Sequence, residues 1–193
     1  MTSSTPTTPR ILAFAGSARR ESLNRKLLAV AVDATRAAGG DVTLIDLNEY
    51  ALPLYHGDEE DARGLPPVAV KLIDLVNAHE GLLIASPEYN SFMTPLLKNT
   101  IDWISRADEN PFTGKVAAVV SASPGALGGA RSMMHVRHLF LHLGCHVVPA
   151  QCILPHAAAA FDAAGALKEP RSQKSVEAVA RQLVDLSTRL GRA

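Results

Sequence analysis

Between Gly16 and Asn24 the chain places Ser17, Arg19, Arg20, Ser22 and Asn24, so hydroxyl, guanidinium and amide groups are concentrated in one turn. Such a concentration suits a phosphate. A helix starting near Ser22 would present its first N–H groups without intrahelical acceptors, and its macrodipole favours negative charge at that end. Arg19 adds a permanent charge and a planar fork of donors that match a phosphate dianion. Ser22 would either cap the helix or turn its hydroxyl to a ligand. On these residues alone, a surface turn with a capping serine and two solvated arginines fits as well. Two other phosphate loops are excluded. The dinucleotide fingerprint G-x-G-x-x-G requires glycines where this chain has Ala18 and Glu21, and no G-K-[ST] of a nucleotide triphosphate loop is present.

Two further stretches carry unusual turn chemistry. Pro87-Glu88-Tyr89-Asn90 follows an apolar run and combines a rigid turn, an aromatic ring and main-chain donors at Glu88, Tyr89 and Asn90; a simple helix-entry turn is the competing reading. Ser121 to Gly129, reading SASPGALGG, is built of small residues, and from Ala122 to Gly129 it would let backbone come close to a bound group.

The elements that would position these stretches alternate. Ile11 to Ala15 is a near-continuous apolar run, the pattern of a strand covered on both faces. Leu23 to Ala38 has helical spacing and closes at Gly39-Gly40. Val42, Leu44 and Ile45 read as a second strand ending at Asp46, which without the glycine fingerprint is a loop cap rather than a ribose ligand. Asn48 to Pro67 reads as loop, its acidic run Asp58 to Asp61 a solvated face. A helix follows over Val68 to His79, then a third strand over Gly81 to Ser86. Thr94-Pro95 opens a helix lasting to about Arg106, in which Trp103 lies off the apolar stripe and faces either the core edge or a second subunit. Lys115 to Val120 is the fourth strand, Ala130 to Leu143 a helix, Val147 through Pro149 to Ile153 the fifth strand, and Ser172 to Leu190 the last helix.

Five strand–helix alternations predict a doubly wound α/β domain, three layers with right-handed crossovers. Ligands of such sheets sit beyond the carboxyl ends of the strands. Ser17 to Asn24 follows strand one, Pro87 to Asn90 strand three and Ala122 to Gly129 strand four, so all three would meet at one rim. A ligand fitting them has a phosphate for the first loop and a flat, polar-edged ring for the others, and flavin mononucleotide (FMN) satisfies both.

At GSARRESLNRKL (Gly16 to Leu27), SPEYN (Ser86 to Asn90), LKNTIDWISR (Leu97 to Arg106) and SASPGALGGAR (Ser121 to Arg131) the sequence resembles the NADPH-dependent FMN reductases of flavodoxin-like fold, which include quinone, chromate and azo-dye reductases. The resemblance implies a five-stranded parallel sheet of order 2-1-3-4-5, bound FMN, and homodimers or homotetramers with sites near subunit contacts. It also implies that Ser17, Arg19, Ser22, Leu23 and Asn24 hold the phosphate while Pro87, Glu88, Tyr89, Asn90, Ala122, Ser123 and Gly125 line the ring. Arg131 would meet the dinucleotide phosphate or pair across subunits. NADPH or NADH would pass hydride to FMN and a small acceptor (quinone, flavin, azo compound or metal oxyanion) would take the electrons, with no side-chain nucleophile. A flavin-binding electron carrier or sensor without fast turnover is the alternative. Electron-carrier flavodoxins are usually acidic and sandwich the ring between aromatics, whereas this chain has zero formal charge and 5% aromatic residues, which favours turnover.

Composition limits the partners. With 193 residues and 47% hydrophobic content the chain suffices for one buried domain, 10–193, preceded by a disordered tail over 1–9. Balanced charge excludes a global field for nucleic acid, and no apolar run approaches a membrane span. Cys145 and Cys152 form neither a C-x-x-C pair nor a zinc spacing, so the expectation is a reduced, cytoplasmic chain with two core thiols. His135, His138 and His142 share one helix side, yet no carboxylate or cysteine joins them at ligand spacing, and a stripe beside the core or a subunit contact is the preferred reading over a metal site.

Overall fold

A computed structural model describes residues 8–191. Its strands are β1 (Arg10–Ala15), β2 (Asp41–Leu44), β3 (Gly81–Ala85), β4 (Val116–Ala122), β5 (His146–Val147) and β6 (Cys152–Leu154). The helices are α1 (Leu23–Ala37), α2 (Gly57–Arg63), α3 (Pro67–Asn77), α4 (Pro95–Ile104), α5 (Ala130–His142) and α6 (Pro170–Leu190). All strand pairs are parallel and the order is β2-β1-β3-β4-β5, the flavodoxin-like arrangement. Of the expected N-terminal tail, residues 1–7 lie outside the described part; Pro9 is buried and its carbonyl accepts from the Asp41 N–H at 2.9 Å.

The apolar strands are unbroken because each residue has a core to enter, whichever way it points. Ile11, Ala13 and Ala15 pack with Leu27, Ala31, Val176 and Leu183 on the face covered by α1 and α6. Leu12 and Phe14 pack with Leu72, Leu97, Ile101, Val136 and Phe140 on the face covered by α3, α4 and α5.

Two elements differ from the sequence reading, each for a local reason. The expected fifth strand is divided: β5 and β6 both pair with β4, but the four residues Val148 to Gln151 lie opposite only Ala118 and Val119. Two extra residues must loop out, and Pro149 has no N–H to extend the ladder. The stretch read as loop over Asn48 to Pro67 contains α2, which buries no residue and therefore leaves no apolar periodicity to read. Its acidic first turn and Arg63 in the last turn both suit the helix dipole. Asp46 caps the turn at Leu47–Glu49 by accepting from the Asn48 N–H at 3.0 Å, and pairs with Arg25 at 2.7 Å.

Trp103 is buried against its own chain. Its Nε1 donates to Pro53 O at 2.8 Å and its ring meets Tyr55 edge-on at 5.1 Å, so α4 straps the segment that follows β2.

The loops after β1 and β3 are locked together at Gly16. Its N–H donates to Ala85 O at 2.9 Å, and Thr94, the N-cap of α4, donates its hydroxyl to Gly16 O at 2.7 Å. A Cβ at Gly16 would stand 2.8 Å from Leu97 Cβ. Gly16→Ala is therefore expected to destabilise the apoprotein by about 1 to 3 kcal/mol, as overpacking does; a lower urea midpoint at unchanged slope is the measurement, and an unchanged midpoint would refute the close packing.

Candidate functional site

Three loops leave the carboxyl ends of β1, β3 and β4, which are consecutive in the sheet, and they enclose a cleft of about 250 Å³. Ten of the twelve residues singled out from sequence line it: Ser17, Arg19, Ser22, Leu23, Asn24, Pro87, Glu88, Tyr89, Ala122 and Ser123. Asn90 and Gly125 do not; Pro124, between Ser123 and Gly125, does.

On the first side, Ser22 is the N-cap of α1, its hydroxyl oxygen accepting from the Arg25 N–H at 3.3 Å and keeping its own proton for donation. Ser17 accepts from the Arg19 N–H at 3.4 Å. Leu23 and Asn24 are the first two residues of α1, and among the described residues their N–H groups have no acceptor. The Arg19 side chain is exposed and, among the described residues, makes no ion pair or hydrogen bond. Backbone donors, hydroxyls and one free guanidinium thus stand together at a helix N-terminus, a donor set for an anion.

Asn24 itself does something the spacing did not disclose. Its amide is buried and spans to the end of β4, Nδ2 donating to Ala122 O at 2.8 Å and Oδ1 accepting from the Ala122 N–H at 2.9 Å. Its side chain is spent on the frame, leaving the backbone N–H for a ligand.

On the other side, Tyr89 and Phe92 exchange backbone hydrogen bonds, both 3.0 Å, around Asn90 (φ 51°) and Ser91 (φ 65°). Two consecutive left-handed residues between paired ones make a tight hairpin turn, which Asn tolerates better than most residues. Asn90 thereby shapes the turn at one remove from the cleft, and the Tyr89 N–H, expected as a free donor, is consumed by Phe92 O. Among the described residues the Glu88 and Asn90 N–H groups have no acceptor. Arg131 is held within its own chain, Nη1 donating to Ser91 Oγ at 2.7 Å and lying 3.7 Å from Glu88 Oε1.

The third loop is anchored from beyond: Ser123 N–H donates to Leu154 O at 3.1 Å, Ala157 N–H to Ser123 O at 3.0 Å and His156 N–H to Gly125 O at 3.2 Å. Gly125 works through that last bond.

His135, His138 and His142 are all exposed, His135 stacks on Phe92 at 4.5 Å, and the described residues contain no group of three metal-ligating side chains. A larger hollow of about 690 Å³ lies between α1, α6 and residues 164–166 and shares no residue with the cleft. Its floor is alanine, its Lys26 and Arg181 pair with Glu21 and Glu177, and it offers no free donor set.

Burial pushes the Cys145 thiol up to about 12 and the Cys152 thiol up to about 11. At pH 8 about one thiol in a thousand or fewer would be thiolate, the reactive form. Both are expected to resist a thiol reagent at pH 8 in the folded protein and to react on unfolding. A raised folded value also means that stability is kept below pH 9 and falls as pH climbs from 9 toward 12; rapid labelling of the native protein would contradict the burial. Asn24→Ala, which strands the Ala122 peptide, is expected to cost about 2 to 3 kcal/mol in urea unfolding, and a loss below half of that would show that the bridge is dispensable.

Comparison with known proteins agrees with this geometry. A family-wide profile described as NADPH-dependent FMN reductase matches residues 9–159. An NAD(P)H-dependent FMN reductase of Pseudomonas aeruginosa is 36% identical over 87% of this chain and 89% of its own length. A quinone reductase of Escherichia coli is 31% identical over 72% of this chain and 73% of its own. Among solved structures, a flavoenzyme NAD(P)H:(acceptor) oxidoreductase from Paracoccus denitrificans superposes with a TM-score of 0.81 at 28% identity, covering 94% of this chain and 98% of that one. The fold, the sheet-edge cleft and these likenesses together show that the chain belongs to the NADPH-dependent FMN reductase family.

Proposed function

We propose that the cleft holds FMN, with Ser17, Arg19, Ser22 and the N–H groups of Leu23 and Asn24 on the phosphate, and with Pro87, Glu88, Tyr89 and Ala122 to Pro124 beside the ring. The observation that carries this reading is the convergence, in one cleft, of unspent α1 N–H donors and an unpaired Arg19 with two loops of small and aromatic residues. Membership of the family makes the chain an FMN-dependent NAD(P)H oxidoreductase. The flavin supplies two-electron chemistry between nicotinamide and acceptor; the protein binds, orients and limits access to it. Residues 10–193 are read as one domain built for this task.

The cleft is smaller than the ~300–1,000 Å³ usual for a pocket that envelops its ligand, so one face of the ring stays open. That face would receive the nicotinamide and then the acceptor, for which we propose a flat quinone, in keeping with the names of several relatives. Tyr89 and Phe92 beside the cleft, and Leu127 and Met134 near the start of α5, are exposed apolar side chains. A second copy of the chain covering them would form a homo-oligomer and enclose the ring. The buried free cysteines suit a reducing, cytoplasmic setting, and among the described residues no helix is long and apolar enough to cross a membrane.

The purified protein is expected to be yellow and to bleach within seconds on anaerobic mixing with NADPH or NADH. Arg19→Ala should weaken FMN binding by about 1.5 to 3 kcal/mol, the value of a charge-assisted hydrogen bond. A colourless protein with no affinity for added FMN would sink the reading, and unchanged affinity in the variant would remove Arg19 from it.

A further inference from the structure

Pro87 and Tyr89 reach the cleft on a segment whose shape is set from behind. Glu88, its side chain only 14% exposed, accepts at Oε2 from the Arg131 and Ser132 N–H groups, both at 3.1 Å. These are the second and third residues of α5, the two N–H groups that an N-cap side chain normally takes. The N-cap of α5 is Gly129, at φ +89°, where a Cβ would lie 1.9 Å from Ser121 Oγ. No capping side chain fits there, and Glu88 provides the cap from 43 residues away.

Ser132 holds the same segment by its carbonyl. Its buried hydroxyl donates to Pro87 O at 2.8 Å and meets Ser86 Oγ at 2.9 Å, while Ser121 Oγ donates to Ser86 O at 2.7 Å. In a planar trans peptide the C=O and the following N–H point in opposite directions. With Pro87 O drawn inward to Ser132, the Glu88 N–H is turned away from the buried serines, and it has no acceptor among the described residues.

From this geometry we infer that Glu88 and Ser132 are positioning residues for the flavin reaction: clamped to the first turn of α5, they aim the Glu88 N–H at the edge of the ring without either side chain having to touch it. The inference rests on the reading that the cleft holds FMN. It gives the Glu88 carboxylate a task behind the cleft, where it is committed to α5. Ser132 lies on no cleft wall and has no other route to the ring.

The test titrates FMN into apoprotein of the wild type and of Ser132→Ala, Glu88→Gln and Glu88→Ala, each confirmed folded by circular dichroism, and records the visible bands and midpoint potential of the bound flavin. Gln keeps an oxygen for both N–H groups, so Glu88→Gln should bind within about threefold of the wild type. Ser132→Ala and Glu88→Ala, each losing a buried or charge-assisted bond, should bind about tenfold or more weakly and shift the bands and potential. If Glu88→Ala does not fold, Ser132→Ala and Glu88→Gln decide the matter. Wild-type affinity and an unshifted spectrum in Ser132→Ala would overturn the inference. So would an equal loss in Glu88→Gln and Glu88→Ala, which would assign the effect to charge rather than to aim. A wild type that takes up no FMN would instead refute the reading of the cleft.

Discussion

The buried amide of Asn24, bonded in both directions to the peptide of Ala122, is the contact on which the site's geometry depends. β1 and β4 are not neighbours, since β3 runs between them. A side chain at the start of α1 nevertheless satisfies both backbone groups of Ala122 at the end of β4, beyond the last residue that pairs with β3. Water is excluded there, so losing either bond would leave a buried peptide group unpaired, at about 1 to 3 kcal/mol each. Once the bridge is made, the N-terminus of α1 is fixed against the third loop, and its unspent N–H groups are aimed at a constant place. Packing of α1 and α6 on one face of the sheet could place the helix roughly; the amide fixes its end.

The rest of the frame follows the same logic with smaller groups. Ser86, Ser121 and Ser132 are fully buried and each hydroxyl has a partner, so three elements approach as closely as backbone and hydroxyl allow. Among the described residues, Ser187 Oγ is the one buried side-chain polar atom without a partner, and it lines a separate hollow with Arg10 and Glu80. The donors left without partners at the cleft, among the described residues, are backbone N–H groups, the Ser22 hydroxyl and the Arg19 guanidinium. A frame whose buried serines around the cleft are all bonded, with open donors gathered at one concave edge, has already met much of the cost of ordering before a ligand arrives.

What could be read from the sequence was whatever a short window encodes. The apolar runs of β1, β3 and β4 announced strands covered on both sides, Ser22 and Thr94 announced helix starts, the alternation of elements gave the doubly wound class, and sheet order followed from the family resemblance. Ten of the cleft residues were legible because the three loops carry chemistry that ordinary turns lack. The failures are equally specific. α2 escaped notice because it buries nothing, and the fifth strand was drawn whole although Pro149 divides it. The Asn24 amide was read as a phosphate donor because its polarity was visible and its partner, 98 residues away, was not; the cap that the Glu88 carboxylate gives α5, 43 residues on, was equally invisible. The left-handed backbone by which Asn90 makes a tight turn was not visible in the sequence either. Gly129 and Ser132 gave no sign, since a glycine's crowding and a serine's single acceptor exist only once the helix is packed.

These substitutions of role point in one direction. In Asn24 and Glu88 the side chain is spent on the frame while, among the described residues, the backbone N–H stays free, and Asn90 supplies the left-handed turn beside them. The remaining candidates for side-chain chemistry are weak: burial keeps both thiols protonated, and the histidines of α5 sit on the surface without ligating companions among the described residues. With zero formal charge and few aromatic residues, the chain lacks the features of an acidic shuttle that grips its ring between aromatic faces. For a cofactor that brings its own reactivity, a protein needs fixed donors at the phosphate and one ring edge and an unobstructed face for exchange. A shallow cleft with a stiff, fully bonded floor meets that requirement better than a deep one would, because depth would shut out the second substrate that must follow the first.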